Sequence, residues 1–219
     1  MIITYHGHSC FKLKGKNGTV VTDPYDSYIG FAAPALSADV ITASHQHKDH
    51  HAVAQVKPSA RRDKPFLIDV LGEYEVGGIS VFGTHSYHDD QQGSLRGENY
   101  IYTILLDNLR ICHLGDLGHE LTEEHISDIG QVDVLFVPVG GVFTINPDQA
   151  VKVIRSIEPS IVIPMHFKTA DHDQNVFGDM RALEDFTKAY GVDTPPVDKL
   201  VVEQDRLPEE TQLVTLFRT

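Results

Sequence analysis

The densest run of chemically capable side chains in the chain is Ser44-His45-Gln46-His47-Lys48-Asp49-His50-His51. Imidazole nitrogen and carboxylate oxygen are the donors that borderline divalent cations such as zinc take up. In an irregular loop such close neighbours point to different sides, so one loop can feed two adjacent metal ions. A solvated polar loop with adventitious metal affinity is the competing reading, and for a lone His-x-His it would be the better one. The spacing His-x-His-x-Asp-His directly behind the apolar run 39–43 favours a built site.

Three further residues share the position that His45 occupies after 39–43. Asp23 follows the run 19–22, Asp116 follows 110–114 in His113-Leu114-Gly115-Asp116, and His166 follows 161–165. Each stands just past the end of a candidate strand. Open α/β sheets place their sites outside those strand ends. Roughly aligned strands would therefore bring all four loops to one cleft.

The elements that must do this positioning are readable from periodicity. Short strands are expected at 2–5, 10–13, 19–22 and 39–43, the last nearly continuous in apolar character, as for a strand buried on both faces. Strands at 75–82 and 99–106 come next, with Asp107-Asn108 as a tight turn into 110–114. The rhythm then changes. Thr122 caps a short helix through Ile129, and 132–137 is an apolar strand. Asn146-Pro147-Asp148-Gln149 opens a helix with Asn at the cap, Pro at the first position and Gln three residues on. Ala150, Val153, Ile154 and Ile157 recur at helical spacing until Pro159. A strand at 161–164 precedes a helical stripe of Met180, Leu183, Phe186 and Tyr190 that Gly191 ends. Weak strands are expected at 199–202 and 213–217. Two packed mixed sheets with helices outside are the economical α/β architecture. No boundary would let either half fold alone, so residues 1–219 are expected to form one domain.

Composition narrows the function classes. The formal net charge is −13 with histidine neutral, and no basic stripe is present to replace counterions on phosphates. A nucleic-acid partner is not expected, whereas a small anionic substrate is compatible, because bound cations would reverse the field locally. The two cysteines, Cys10 and Cys112, make no disulfide framework. The N-terminus has neither a basic nor an apolar signal region, and no apolar run approaches the roughly 18 residues of a membrane span. A cytoplasmic protein with no membrane partner is expected.

Gly7-His8-Ser9, Thr22-Asp23-Pro24, His45-x-His47-x-Asp49-His50, Tyr87-His88, Gly115-Asp116, Pro138-Val139-Gly140-Gly141 and Pro164-Met165-His166 run in this order along the chain. In this set the sequence resembles the metallo-β-lactamase superfamily. Within that superfamily it is similar to the small bacterial branch of metal-dependent hydrolases that includes the ascorbate-6-phosphate lactonase. The resemblance implies a four-layer αββα sandwich. It implies His45, His47 and His88 around one metal ion, Asp49, His50 and His166 around a second, and Asp116 bridging both. Asp23 matches a position that orients the metal loop. His88 is preferred over His85 as the third histidine, since it stands after the aromatic residue at the strand end. His8 is a candidate to line the cleft. His113 reads as a core residue, His119 as a cleft or turn residue, and His51, His125 and His172 as surface residues.

Two divalent cations, zinc first and manganese, iron or nickel compatible with the same ligands, would lower the pKa of a shared water from about 15.7 toward about 7. Asp49 and Asp116 are the candidate catalytic carboxylates, Asp49 to position the nucleophile and move a proton. No Gly-x-Ser-x-Gly or other nucleophile motif competes. The expected activity is hydrolysis of a small ester, lactone or phosphoester. A nucleic-acid phosphodiesterase, a di-iron protein handling oxygen or nitric oxide, and a non-catalytic metal module are the alternatives. Arg96 and Lys168 could meet an anionic group, although a loop arginine and a solvated lysine are the plainer readings.

Overall fold

In the strand Ile2–Gly7, Ile3 and Tyr5 turn inward and alternate with partly exposed neighbours, the signature of a sheet that buries one face. The structure, a computed structural model, describes residues 1–219. One six-stranded sheet runs in the spatial order Leu200–Val201, Ile2–Gly7, Cys10–Lys14, Thr19–Thr22, Val40–Thr42 and Phe66–Ile68. A seven-stranded sheet runs in the order Gln212–Leu213, Ile161–Met165, Val134–Pro138, Leu109–His113, Glu98–Leu106, Ser80–Tyr87 and Glu73–Glu75. Both are mixed. Thr19–Thr22, Val40–Thr42 and Phe66–Ile68 are parallel, as are Leu109–His113, Val134–Pro138, Ile161–Met165 and Gln212–Leu213.

The sheets face each other across a core of 41 buried residues that runs from Ile3 to Leu216. Phe11 of the first sheet stacks on Phe136 of the second, with ring centroids 3.9 Å apart. Val134–Pro138 and Ile161–Met165 are buried along their whole length; the helix Pro147–Ile157 packs on Val134–Pro138, and the helix Leu183–Tyr190 packs against that helix. The Pro147–Ile157 helix starts as its sequence dictates. Asn146 Oδ1 accepts the Gln149 N–H at 3.0 Å, and Gln149 Oε1 accepts the Asn146 N–H at 2.9 Å.

The outer face of the first sheet is covered differently. Val21 and Ile41 pack there against Tyr25, Ile29, Phe31, Phe177 and Met180, supplied by loops, single 3-10 turns and the one-turn helix Gln174–Phe177. The segment between Asp23 and Asp39 holds Pro24, Gly30 and Pro34 and has no helical period, so this layer is built without a long helix.

Several expected elements change in the folded chain. The single strand expected at 75–82 is a hairpin: Glu73–Glu75 pairs antiparallel with Ser80–Tyr87 around Gly77 and Gly78, both at positive φ. The stripe from Met180 to Tyr190 begins its helix only at Leu183, while Met180 sits in the smaller core cluster. Past Gln212–Leu213, the expected strand at 213–217 continues only as an isolated bridge between Leu216 and Val197. Asp107 and Asn108, at φ 55° and 63°, form the tight turn that their types suggest. No helix is long and apolar enough to cross a membrane.

Candidate metal centre

Strand polarity brings the chemistry to one edge. Ser80–Tyr87 is antiparallel to Glu98–Leu106, which is antiparallel to Leu109–His113, so His88 and Asp116 leave their strands on the same side. Val134–Pro138 and Ile161–Met165 run parallel to Leu109–His113 and deliver His166 there too. The two sheets are joined at this edge. Tyr100 N–H donates to the Ser44 carbonyl at 2.8 Å, and His166 N–H donates to the His8 carbonyl at 2.8 Å.

Asp23 organises the histidine loop. One carboxylate oxygen accepts the Ser44 N–H at 2.8 Å, and the other accepts the Ser44 hydroxyl at 2.6 Å and His50 Nδ1–H at 2.8 Å. Since the Ser44 hydroxyl donates to Asp23, it must accept from His45 Nδ1, 2.9 Å away. Both imidazoles therefore carry a proton on Nδ1 and turn Nε2 toward the cleft.

Those Nε2 atoms, with the Nε2 of His88 and His166, converge on Asp116. Its Oδ2 lies 3.1 Å from His166 Nε2, 3.2 Å from His50 Nε2, 3.2 Å from His88 Nε2 and 3.9 Å from His45 Nε2. Nε2 of His45, His50 and His166 and Oδ1 of Asp116 are all buried with no hydrogen-bond partner. Leaving so many buried polar atoms unpaired is costly unless something else pairs them, and donor atoms aimed at common points fit divalent cations. The donor atoms of His45, His47 and His88 lie within 4.8 Å of one another, and so do those of His8, Asp49, His50 and His166. The residues present therefore fit metal ions at two adjacent positions.

Burial pushes the Asp116 carboxyl up, but the neighbouring His166 and His50 outweigh it and hold the group well below the ordinary carboxylate range. Burial likewise opposes ionisation of Asp49, and His50 and His8 overturn it. Burial drives His45 well below its ordinary value and His8 down to about 3. His50 goes the other way: Asp116 and Asp49 outweigh its burial and hold it well above its ordinary value. Metal binding takes neutral imidazoles and ionised carboxylates, so a cation at His50 Nε2 would displace a proton.

The backbone at this edge is strained. His8, Asp23 and His166 adopt φ of 56°, 39° and 52°. The left-handed region costs a non-glycine residue about 1–3 kcal/mol and persists only where surroundings over-determine it. Gly115 is needed beside Asp116: at φ 56°, a Cβ would lie 2.2 Å from Asn99 Oδ1.

Several supporting residues were not visible in the sequence. Asn99, fully buried, accepts the Asp116 N–H at 2.8 Å and donates to the Leu114 carbonyl at 2.9 Å and to Ser86 Oγ at 2.7 Å. Asparagine inside an otherwise β-forming run was the available signal. Asp89 accepts the backbone N–H groups of Gln91, Gly93, Leu95 and Arg96 at 2.8–2.9 Å, which fixes the loop after His88. His172, expected at the surface, is buried between Phe31 and Phe177. Its polar neighbours in the chain gave no hint of the aromatic side chains that other segments bring to it.

The remaining candidates separate cleanly. His85 points to Glu98 Oε1 at 3.4 Å and not into the cleft. His113 Nε2–H donates to the Ser9 carbonyl at 2.9 Å while Nδ1 accepts the Gly115 N–H at 3.1 Å, so it is a satisfied core histidine. His119 accepts the Tyr87 N–H at 3.2 Å and holds the strand end before His88. Lys168 donates to the Gly178 carbonyl. Arg96 does line the cleft, its guanidinium 5.6 Å from the Phe143 ring centroid, and Lys48 lines it too, 5.9 Å from that of Tyr28. The cleft has a volume of about 640 Å³, with His47, Asp49, His88 and Asp116 among its lining.

A model of the family described as "Beta-lactamase superfamily domain" matches residues 2–166. A metal-dependent hydrolase of the UPF0173 group from Thermoplasma acidophilum is 30% identical over 189 residues, covering 77% of this chain and 84% of its own. Its counterpart in Thermoplasma volcanium is 29% identical over 190 residues, with the same coverage of 77% and 84%. A crystal structure from Thermotoga maritima, of a protein assigned to the Zn-dependent hydrolases of the metallo-β-lactamase superfamily, superposes with a TM-score of 0.78. It is 35% identical and matches over 98% of this chain and 97% of its own. An isothiocyanate hydrolase from Delia radicum gut bacteria, 14% identical with a TM-score of 0.64, shares the fold.

Asp23→Asn keeps the volume of the side chain but removes its charge and one acceptor. Chelator-competition titration is expected to find zinc affinity lowered about 10–100-fold. Unchanged affinity would mean that Asp23 does not hold the imidazoles for metal.

Proposed function

The chain belongs to the metallo-β-lactamase superfamily as a metal-dependent hydrolase, and from that premise we propose that it cleaves a small ester, lactone or phosphoester bearing an anionic group. The proposed centre is dinuclear: His45, His47 and His88 hold one cation, Asp49, His50 and His166 hold the other, and Asp116 is shared. The observation that carries this reading is the convergence of unpartnered histidine Nε2 atoms on the ionised, buried Asp116 carboxylate. Zinc is the proposed cation, and manganese, iron and nickel suit the same donors.

Bound there, divalent cations would supply a water ionised near neutral pH and would polarise the attacked carbonyl or phosphoryl oxygen. The protein's own groups do the rest. Asp23 and Ser44 hold the Nδ1 protons of His50 and His45, which turns both Nε2 atoms toward the cations. Asp49 is the least buried carboxylate of the cluster, with its side chain 16% exposed, and it borders the cleft. It can accept a hydrogen bond from the attacking water, take its proton and return it to the leaving oxygen. At the mouth, Arg96 beside Phe143 and Lys48 beside Tyr28 offer two cations on apolar surfaces, which suits an organic anion. The net charge of −13 over the whole chain supports a small substrate over a polynucleotide. A core shared from Ile3 to Leu216 supports one domain over 1–219.

Zinc-loaded protein should turn over at least one member of a panel of generic lactones, carboxylesters, phosphomonoesters and phosphodiesters. Asp116→Asn is expected to lower kcat/KM about 10²–10³-fold. Equal turnover in the two proteins, or none in a wild type that carries no metal, would sink the proposal. With an active substrate pair differing only in an anionic group, Arg96→Ala is expected to raise KM for the anion about 10–100-fold and leave the neutral partner unchanged. Equal effects on both would assign Arg96 no part in recognition.

A further inference from the structure

His8 is the one histidine of the cleft that the ligand sets above leave without a task. Its side chain is fully buried, and neither ring nitrogen has a hydrogen-bond partner. Its Nε2 lies 3.3 Å from Asp49 Oδ2, and its ring centroid lies 4.1 Å from that of His166 and 4.9 Å from that of His50. The backbone is committed to this placement. Gly7 and His8 both adopt positive φ, and the His8 carbonyl accepts from the Tyr5 hydroxyl at 3.0 Å and from His166 N–H at 2.8 Å. A core role does not explain the residue. His113, the core histidine nearby, uses both nitrogens, and a phenylalanine at position 8 would fill the space against Phe177 without burying two polar atoms.

Resting on the two-cation reading above, we infer that His8 is a further donor at the second position, where its ligand atom and those of Asp49, His50 and His166 lie within 4.8 Å of one another. The first position draws on three histidines, of which His47 is exposed. The two positions are then unequal. The second has one donor more and is nearly closed to solvent, so it fills first and holds its ion more tightly. The first, at the open mouth, exchanges more readily.

The test is zinc titration of chelator-stripped protein against a chromophoric competitor, repeated with cobalt(II) and read by visible absorption. Asparagine and glycine both accept the left-handed backbone at position 8, so His8→Asn and His8→Gly remove the ring and leave the turn. Wild type is expected to bind two equivalents in separable steps. Both variants should weaken the tighter step at least about tenfold and leave the other unchanged, and the cobalt spectrum of the tight step should change with the lost ligand. His47→Ala should do the converse. If both steps are unchanged, or only the weaker one falls, the inference is wrong. A weakened tight step with an unaltered cobalt spectrum would also overturn it, since His8 would then act only by holding Asp49. If wild type binds a single equivalent, the dinuclear reading fails separately. Weakening of that one step by His8→Asn, with the spectral change, would still support His8 as a donor, and no weakening would refute it.

Discussion

The arrangement at the cleft hangs on one buried carboxylate, Asp23. It lies at zero exposure, and its carboxyl is held below the ordinary range despite burial, since its two oxygens receive every donor that Ser44 and His50 can offer it. A charge in that position is tolerable only when fully hydrogen-bonded. Satisfying it consumes the Nδ1 proton of His50 and, through Ser44, that of His45. The polar atoms left over are the Nε2 nitrogens, and these point at Asp116. The charge that stabilises the loop is thus the same charge that leaves the site in need of cations.

The sheets exist, in functional terms, to bring loops with that need to one edge. Parallel strands buried on both faces fix where each chain segment leaves the core, so the residue after the strand becomes the positioned one. The bond from Tyr100 N–H to the Ser44 carbonyl and that from His166 N–H to the His8 carbonyl lock the edges together. Asp89 then links the floor of the cleft to its mouth. By accepting four backbone N–H groups from the loop that follows His88, it ties Leu95 and Arg96 to the histidine next to it. One segment thus places both His88 and Arg96.

Much of this was legible in the sequence because the metal-compatible residues sit next to one another or directly behind apolar runs. His45, Asp116 and His166 could be placed by strand ends alone; of the two histidines near Tyr87, His88 faces Asp116 and His85 faces Glu98. Helix starts at Thr122 and Asn146 followed from local capping chemistry. What could not be read depends on distant partners. Nothing near Asn99 in the sequence announces its bonds to Leu114 and Asp116. His172 is buried by Phe31, more than a hundred residues away in the chain. Lys168 looked as free as Lys48, yet a carbonyl ten residues on captures it. The strand Phe66–Ile68 is too short for a periodic signal, and the layer over Val21 and Ile41 is built from loops.

Asp116 is proposed to stand between two cations. Anomalous diffraction at the zinc edge, from crystals of metal-loaded protein, addresses it without any substrate. The account predicts two peaks about 3.5–4 Å apart, one beside His45, His47 and His88 and one beside Asp49, His50 and His166, with Asp116 between them. A cleft without a peak, or a single peak that leaves either histidine group bare, would contradict it.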